Sequence, residues 1–431
     1  MNRKLKSAAG NQNAEPALTP KLRFPEFRDA PGWVAISLED ASVPVVERVG
    51  TRKLTPVSIS AGIGFVPQSE KFGRDISGNQ YQLYTLVRDG DFVFNKGNSL
   101  KFPQGCVYLL QGWVEVAAPN VFICFRLRKG YSNAFFQNCF EKNTHGIQLK
   151  RHITSGARSN GLLNISKETF FGVEIPTPSF AEQQKIAECL TTLDEVIAAQ
   201  SQKLDVLKTH KKGLMQQLFP REGETLPRIR FPEFQAAPEW EEVRLGKLGV
   251  LVSGLTYSPS DIRDEGLLVL RSSNVQNGVI TLDDCVYVTP EVKGANLSKP
   301  NDILICVRNG STALIGKNAL IPDGMPLCTH GAFMTVFRTA LAQFVFQLFQ
   351  TSKYQKQVEA DLGATINSIN GNQFVKYKFV IPKPPEQQRI ASCLTSLDDL
   401  ITAQSAKLSA LKTHKKGLMQ QLFPSPEAVE A

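Results

Sequence analysis

The sequence predicts an α+β fold: two similar mixed α/β domains separated by two long antiparallel coiled-coil helices, forming a pseudo-twofold internal repeat. Three observations predict it. One stretch is written twice, EQQKIAECLTTLDEVIAAQSQKLDVLKTHKKGLMQQLFP from Glu182 to Pro220 and EQQRIASCLTSLDDLITAQSAKLSALKTHKKGLMQQLFP from Glu386 to Pro424. The copies align without a gap, about 30 of roughly 39 positions being identical, and an internal repeat of this kind governs the reading of everything else. Each copy spaces its apolar residues alternately by four and three. A shorter motif, LRFPEF (Leu22–Phe27) before Trp33 and IRFPEF (Ile229–Phe234) before Trp240, opens two units of about 200 residues, each closing with one copy of the long stretch.

Taken in order, residues 1–20 are polar and aperiodic and read as a flexible tail. The opener follows, expected as a strand-edge or loop plug whose aromatics pack on the domain. The first domain, 21–178, is a run of short apolar stretches between Gly, Asn, Asp and Pro, the pattern of strands and turns with some helix. Pro176–Pro178 end it and deliver the chain into the first long helix, 179–220. There Ile186, Leu190, Leu193, Ile197, Leu204, Leu207, Leu214 and Leu218 form the seam, with Gln200 and Lys211 in its remaining positions. A sustained four-three spacing marks a coiled coil, and the polar seam residues favour one register and orientation. A helix of about 38 residues is about 57 Å long and cannot bury such a seam alone. The other copy is the nearest partner.

After a linker at 221–227 the second domain runs over 228–382, and the second helix over 383–424 carries the seam Ile390, Leu394, Leu397, Ile401, Leu408, Leu411, Leu418 and Leu422, again with Gln404 and Lys415. Residues 425–431 form a C-terminal tail. Both helices stop at Leu-Phe-Pro, since proline cannot continue the hydrogen-bond ladder. Within the domains, Gly90–Phe94 before the polar turn Asn95–Ser99 matches Asn301–Val307 before Arg308–Thr312. Gly156–Asn160 likewise matches Gly363–Asn367. The halves share a scaffold while their loops diverge. Segment 341–360 is expected to be an amphipathic helix that buries Phe344, Leu348 and Val358.

The chain has 431 residues, too many for one ordinary core. Its apolar and charged fractions, 42% and 21%, are those of a globular protein rather than a disordered or membrane chain. No apolar run is long enough to span a bilayer, and the polar N-terminus lacks the apolar core of a signal peptide. Eight scattered cysteines without a C-x-x-C pair argue for reduced thiols in the cytoplasm. The net charge of +9 suits a nucleic-acid partner.

No catalytic constellation emerges. His145, His152 and His330 lack neighbours at metal-ligand spacing, and His210 and His414 are equivalent positions in the basic KTHKKG segment. Gly310–Asn318 resembles a phosphate loop but is one residue too long, and Asn318 stands where Ser or Thr must hold Mg²⁺. A turn between two strands accounts for it better. The chain reads as a binding protein with no catalytic or metal residue of its own. Its candidate DNA contacts in the first domain are Arg52, Lys53, Lys71, Arg74, Lys96, Asn98, Lys101, Lys150, Arg151, Arg158 and Asn160. In the second they are Arg271, Ser273, Asn274, Arg308, Asn309, Thr312, Lys317, His330, Asn367 and Asn370. Arg and Lys neutralise phosphates or pair with guanine, and Asn pairs with adenine in the major groove. Outside the seam the helix copies agree at Lys203/Lys407, Lys208/Lys412, His210/His414 and Gln216/Gln420, which we read as one partner-docking surface presented twice.

The paired RFPEF…W openers, the Ile-Pro-x-Pro runs leading into EQQ-x-I (Ile175–Ile186 and Ile381–Ile390) and the duplicated KKGLMQQLFP ends resemble the specificity subunit of type I restriction–modification systems. The resemblance covers nearly the whole chain after residue 20. It implies two target-recognition domains, each reading half of a split double-stranded DNA site, with the helices setting the gap and docking two modification (methyltransferase) subunits, to which restriction subunits add. It implies a non-catalytic subunit in a prokaryotic cytoplasm, with S-adenosylmethionine, ATP and Mg²⁺ on the partners. The residues leave open the recognition subunit of an enzyme that cuts on both sides of its site, a stand-alone two-domain DNA-binding regulator, and an enzyme with an unfamiliar site.

Overall fold

In a computed structural model, residues 18–97, 102–153, 163–362 and 367–424 are described. Nearly all of the expected N-terminal tail, the C-terminal tail, the Gly156–Asn160 turn and most of its counterpart Gly363–Asn367 lie outside them. The chain forms two units, one made of residues 1–200 with 407–431 and the other of 201–406. The two long helices, Phe180–Leu218 and Pro384–Leu422, are 39 residues each. Every seam position named above is buried or half-buried, while Gln184, Glu188, Lys203, Lys208 and His210 on the outer faces are exposed.

In the first unit, residues 180–200 of the first long helix pair with residues 407–422 of the second. Ile186, Ala187 and Leu190 share a core with Leu418, Met419 and Leu422, while Lys415 Nζ lies 2.7 Å from Asp194 Oδ1. Positions that rise along one helix fall along the other, so the pairing is antiparallel. The second unit repeats this, with Leu214 and Leu218 against Ile390 and Leu394, and Lys211 Nζ 2.6 Å from Asp398 Oδ1. The polar seam lysines therefore each meet an aspartate, a match that holds in one register only.

Each unit is framed alike. Strand Val34–Ser37 pairs antiparallel with Glu174–Thr177, and Glu241–Arg244 with Lys378–Ile381, so the domain's two ends meet just before its long helix. Each also holds an antiparallel four-stranded sheet. In the first unit its order is Ser42–Pro44, Ile123–Leu127, Phe92–Asn95, Cys106–Leu109; in the second, Val250–Ser253, Met334–Arg338, Ile303–Cys306, Asn318–Leu320. The matched turns Gly90-Asp91 and Asn301-Asp302 enter the same strand of this sheet through positive φ, 86° at Gly90 and 64° at Asn301. The buried Asp91 accepts a hydrogen bond from Arg88 N (2.8 Å) and pairs with Arg126 (2.6 Å). Asp302 accepts from Lys299 N (2.8 Å) and pairs with Arg338 (2.7 Å).

Beyond this frame the units part. The first adds the hairpin Val57–Ser60/Gly64–Pro67 and the pair Thr85–Arg88/Glu115–Ala118. The second adds a four-stranded sheet, Ile262–Arg263, Tyr287–Val288, Leu267–Leu270, Cys328–His330, with one parallel pair, and the small hairpin Val275–Gln276/Val279–Ile280. Segment 341–360 forms two helices, Ala342–Leu348 and Ser352–Leu362, rather than one; Phe344, Leu348 and Val358 are buried as expected. The phosphate-loop-like Gly310–Asn318 is a turn between antiparallel strands.

His145 is buried against the rings of Phe94 (6.1 Å) and Phe140 (5.6 Å), and burial pushes its imidazole down to about 4, the Gly105 backbone only partly offsetting this. Its folded-state value lies below the unfolded one, so the unfolded chain takes up the proton first. The first unit is expected to hold full stability above about pH 6.5 and to lose on the order of 2–3 kcal/mol as pH falls toward 4. Denaturation midpoints of wild type and His145→Leu, compared across that window, check this: the pH slope should be shallower in the variant.

Candidate nucleic-acid interface

The opener is a clasp. Just before a short turn at Pro25–Phe27, Arg23 forms a bidentate ion pair with Glu182 in the first turn of the long helix (Nε–Oε1 2.8 Å, NH2–Oε2 2.7 Å), and Trp33 Nε1 donates to the same carboxylate (3.2 Å). Arg230 holds Glu386 equally, at 2.7 Å through both nitrogens. The next residue of the EQQ motif also recurs in role: Gln183 donates to Pro178 O (3.0 Å) and Gln387 to Pro382 O (2.7 Å). A carboxylate here also suits the positive end of the helix dipole. The opener, expected as a strand-edge or loop plug whose aromatics pack on the domain, is thus also an ion-pair clasp; its one signal in the sequence is that Arg and Glu recur together in both copies.

In each unit two loop-bearing segments named from the sequence meet at their feet. Leu163 N donates to Lys96 O (2.8 Å) in the first unit; Ile369 N donates to Val307 O (2.8 Å) in the second, where Arg308 also bridges Ser368. In the first unit Lys96 is half-buried, its Nζ 3.5 Å from Ile165 O, while Asn98, Lys101, Arg158 and Asn160 lie outside the described residues. Lys150 and Arg151 are exposed on the short turn Lys150–His152. Arg52 is exposed and paired with Glu47 (2.8 Å); Lys53 and Arg74 are exposed, and Lys71 reaches Ser58 Oγ (2.9 Å).

In the second unit Arg308 is exposed over the Phe333 ring (5.8 Å), and Thr312, Asn367 and Asn370 are exposed. Asn370 caps the helix Gly371–Phe374 by accepting from Asn372 N (2.8 Å). Ser273 and Lys317 line one cleft, and Asn309 Nδ2 donates to Ser272 Oγ (3.1 Å) on its wall. Arg271 pairs with Asp284 (2.8 Å). Two candidates are corrected. Asn274 is fully buried, its amide donating to the carbonyls of Thr281 and Asp284 (3.0 Å each) and accepting from Arg271 N (2.8 Å). His330 is fully buried too: its Nε2 donates to Val252 O (2.9 Å), leaving Nδ1 to accept from Ser298 (3.0 Å), and burial lowers its pKa. Both side chains are buried and spend their polar atoms on internal hydrogen bonds, so neither is placed on the surface as expected. Residue type in a turn-rich stretch does not reveal burial. Gln276 and Asn277, not among the candidates, are exposed, and Asn-Gly at 277–278 was a legible hairpin signal.

On the long helices, Lys203, Lys208, His210 and Gln216 are exposed, as are Lys407, Lys412, His414 and Gln420. Among the described residues no helix is long and apolar enough to cross a membrane.

What the chain presents, then, is one frame built twice, each time with a different set of polar loops. A model of the type I restriction modification DNA specificity domain matches residues 78–209 and 238–413, and the chain belongs to that family of type I restriction–modification specificity subunits. It is 25% identical over 289 residues to the type I restriction enzyme MjaVIII specificity subunit of Methanocaldococcus jannaschii, covering 65% of this chain and 68% of that one. Its fold is similar to the S subunit of a type I system from M. genitalium, at a TM-score of 0.63 and 14% identity over 95% of this chain and 100% of that one. A chain from a structural study of complex assembly in a type I system gives a TM-score of 0.51 at 17% identity, over 92% of this chain and 98% of that one.

Proposed function

We propose that this chain selects the DNA site for a type I restriction–modification complex, each unit reading one half of a bipartite, interrupted sequence. The carrying observation is the duplicated frame with divergent additions: the same clasp, sheet and helix pairing recur, while the outer sheets and loops do not. Two unlike reading surfaces on like supports call for an asymmetric site with a fixed gap. The long helices set that gap, and their repeated outer residues, Lys203/Lys407 to Gln216/Gln420, dock two methyltransferase subunits, to which restriction subunits add. The chain itself is non-catalytic and acts in a prokaryotic cytoplasm. S-adenosylmethionine, ATP and Mg²⁺ belong to the partners.

Co-expressing the chain with its modification subunit and mapping methylated adenines across the host genome tests this. A split motif of constant gap that disappears when the chain is omitted is the expected result. A stable complex that methylates nothing, or methylation without a split motif, overturns it.

A further inference from the structure

The small hairpin Val275–Gln276/Val279–Ile280 stands out in the second unit because its base is braced and its tip is polar and exposed, Gln276 Nε2 making only a long bond to Ser273 O (3.3 Å) that faces solvent. Gln276 faces Val279, so the connection is the two residues Asn277-Gly278, at φ 52° and 79°. Positive φ at both central positions is the geometry that makes Asn-Gly the preferred tight turn of a twisted ribbon. Val275 is fully buried. Asn274, just before it, closes the base with five hydrogen bonds: its side-chain amide donates to Thr281 O and Asp284 O and accepts from Arg271 N, its backbone N donates to Arg271 O (3.0 Å), and its carbonyl accepts from Thr281 N (2.8 Å). The Asn309–Ser272 bond ties the Arg308–Thr312 loop to the same base.

Above this brace Gln276, Asn277 and Ser273 are exposed, and with Lys317 they line an open cleft of about 530 Å³. The chemistry of the four is complementary to a duplex. A two-stranded ribbon fits the major groove, side-chain amides of Asn and Gln pair with the N6 and N7 edge of adenine, and lysine neutralises a phosphate. The hairpin at Val57–Ser60/Gly64–Pro67 in the first unit carries instead a tip with Ile63, which is 76% exposed and can neither donate to nor accept from a base.

We propose that the hairpin tip of the second unit is a base-reading head: Gln276 and Asn277 present amides to adenine in the major groove, Lys317 holds a flanking phosphate, and Asn274 is the positioning residue that keeps the tip in place. This rests on the site-selecting function proposed above and assigns one half-site's adenine discrimination to two residues.

The test uses the complex of full-length chain and modification subunit, with methylated adenines mapped for wild type and for Gln276→Ala/Asn277→Gly. Glycine removes the amide while keeping the positive φ without strain. Since both side chains are exposed, the complex should assemble as wild type does. The expected result is a motif relaxed at one or two A·T positions of one half-site, by a factor of about 5 to 150 in discrimination, with the other half and the gap unchanged. Asn277→Asp, isosteric but unable to donate, should relax the same position, whereas Lys317→Ala should weaken binding to all duplexes and lower the salt slope by about one. A wild-type motif kept at full stringency by both tip variants overturns the reading head and leaves the proposed function standing. A wild-type complex with no split motif overturns both.

Discussion

Glu182→Ala is expected to destabilise the first unit by about 3–5 kcal/mol, the cost of leaving a buried charge without its counter-ion. The Arg23 and Glu182 side chains are only 8% and 1% exposed, so water compensates the lost carboxylate poorly. Two carbonyls, Ala30 O (2.7 Å) and Pro31 O (2.8 Å), still accept from the guanidinium, but neither carries charge. Trp33 Nε1 loses its acceptor as well. Glu182→Gln should cost less, because an amide oxygen can still accept from Arg23 or Trp33. The double variant Arg23→Met/Glu182→Leu should recover much of the loss, since replacing both partners by apolar groups removes the unpaired charge. Glu386→Ala should act in the same way on the second unit through Arg230. Denaturant unfolding measures the loss, and peptide-resolved hydrogen exchange assigns it to one unit. A loss under about 1 kcal/mol, the range of exposed ion pairs, would show that the clasp is solvated in solution.

The clasp also shows where sequence reading ran out. The seam was legible because a four-three spacing constrains burial within one helix, and Leu190, Leu204, Leu394 and Leu408 are all buried where that spacing put them. Lys211 and Lys415 were legible as polar seam residues, yet their partners Asp398 and Asp194 were not, because those depend on the register between two helices. Arg23 and Glu182 stand 159 residues apart, so no local period connects them. The shared frame was visible in matched turns such as Gly90-Asp91 and Asn301-Asp302. The outer sheets were not, since they are what differs between the halves. At the candidate interface, exposed basic residues such as Arg308 and Lys150 lie on loops as read, whereas Asn274 and His330 turned out to be internal supports. A polar residue that braces a loop and one that reads a base have the same composition signal, and only their hydrogen-bond partners separate them.

Phe423→Ala should cost the first unit about 3–5 kcal/mol, as for other buried phenylalanines. The ring is 4% exposed, 5.4 Å from Phe135 and 6.0 Å from Trp33, with Lys142 Nζ 5.6 Å above it. Lys142 also donates to Pro424 O (2.7 Å), and Leu22 N donates to Gln421 O (2.9 Å), so the opener and the Leu-Phe-Pro end hold one another. Removing the ring should therefore fray residues 415–424 and loosen the opener together, read as faster hydrogen exchange in both segments. Phe219→Ala should do the same in the second unit, where the ring packs on Trp240 (6.4 Å) and Phe344 (6.1 Å) and Ile229 N donates to Gln217 O (3.1 Å). Phe423→Leu, which keeps most of the apolar volume, should cost less than half as much. If the helix end frayed while the opener kept its protection, the two would be independent. The recurrence of Leu-Phe-Pro would then reflect helix termination by proline alone. Coupled loss would mean that the motif is duplicated because each unit needs a helix end to close its core.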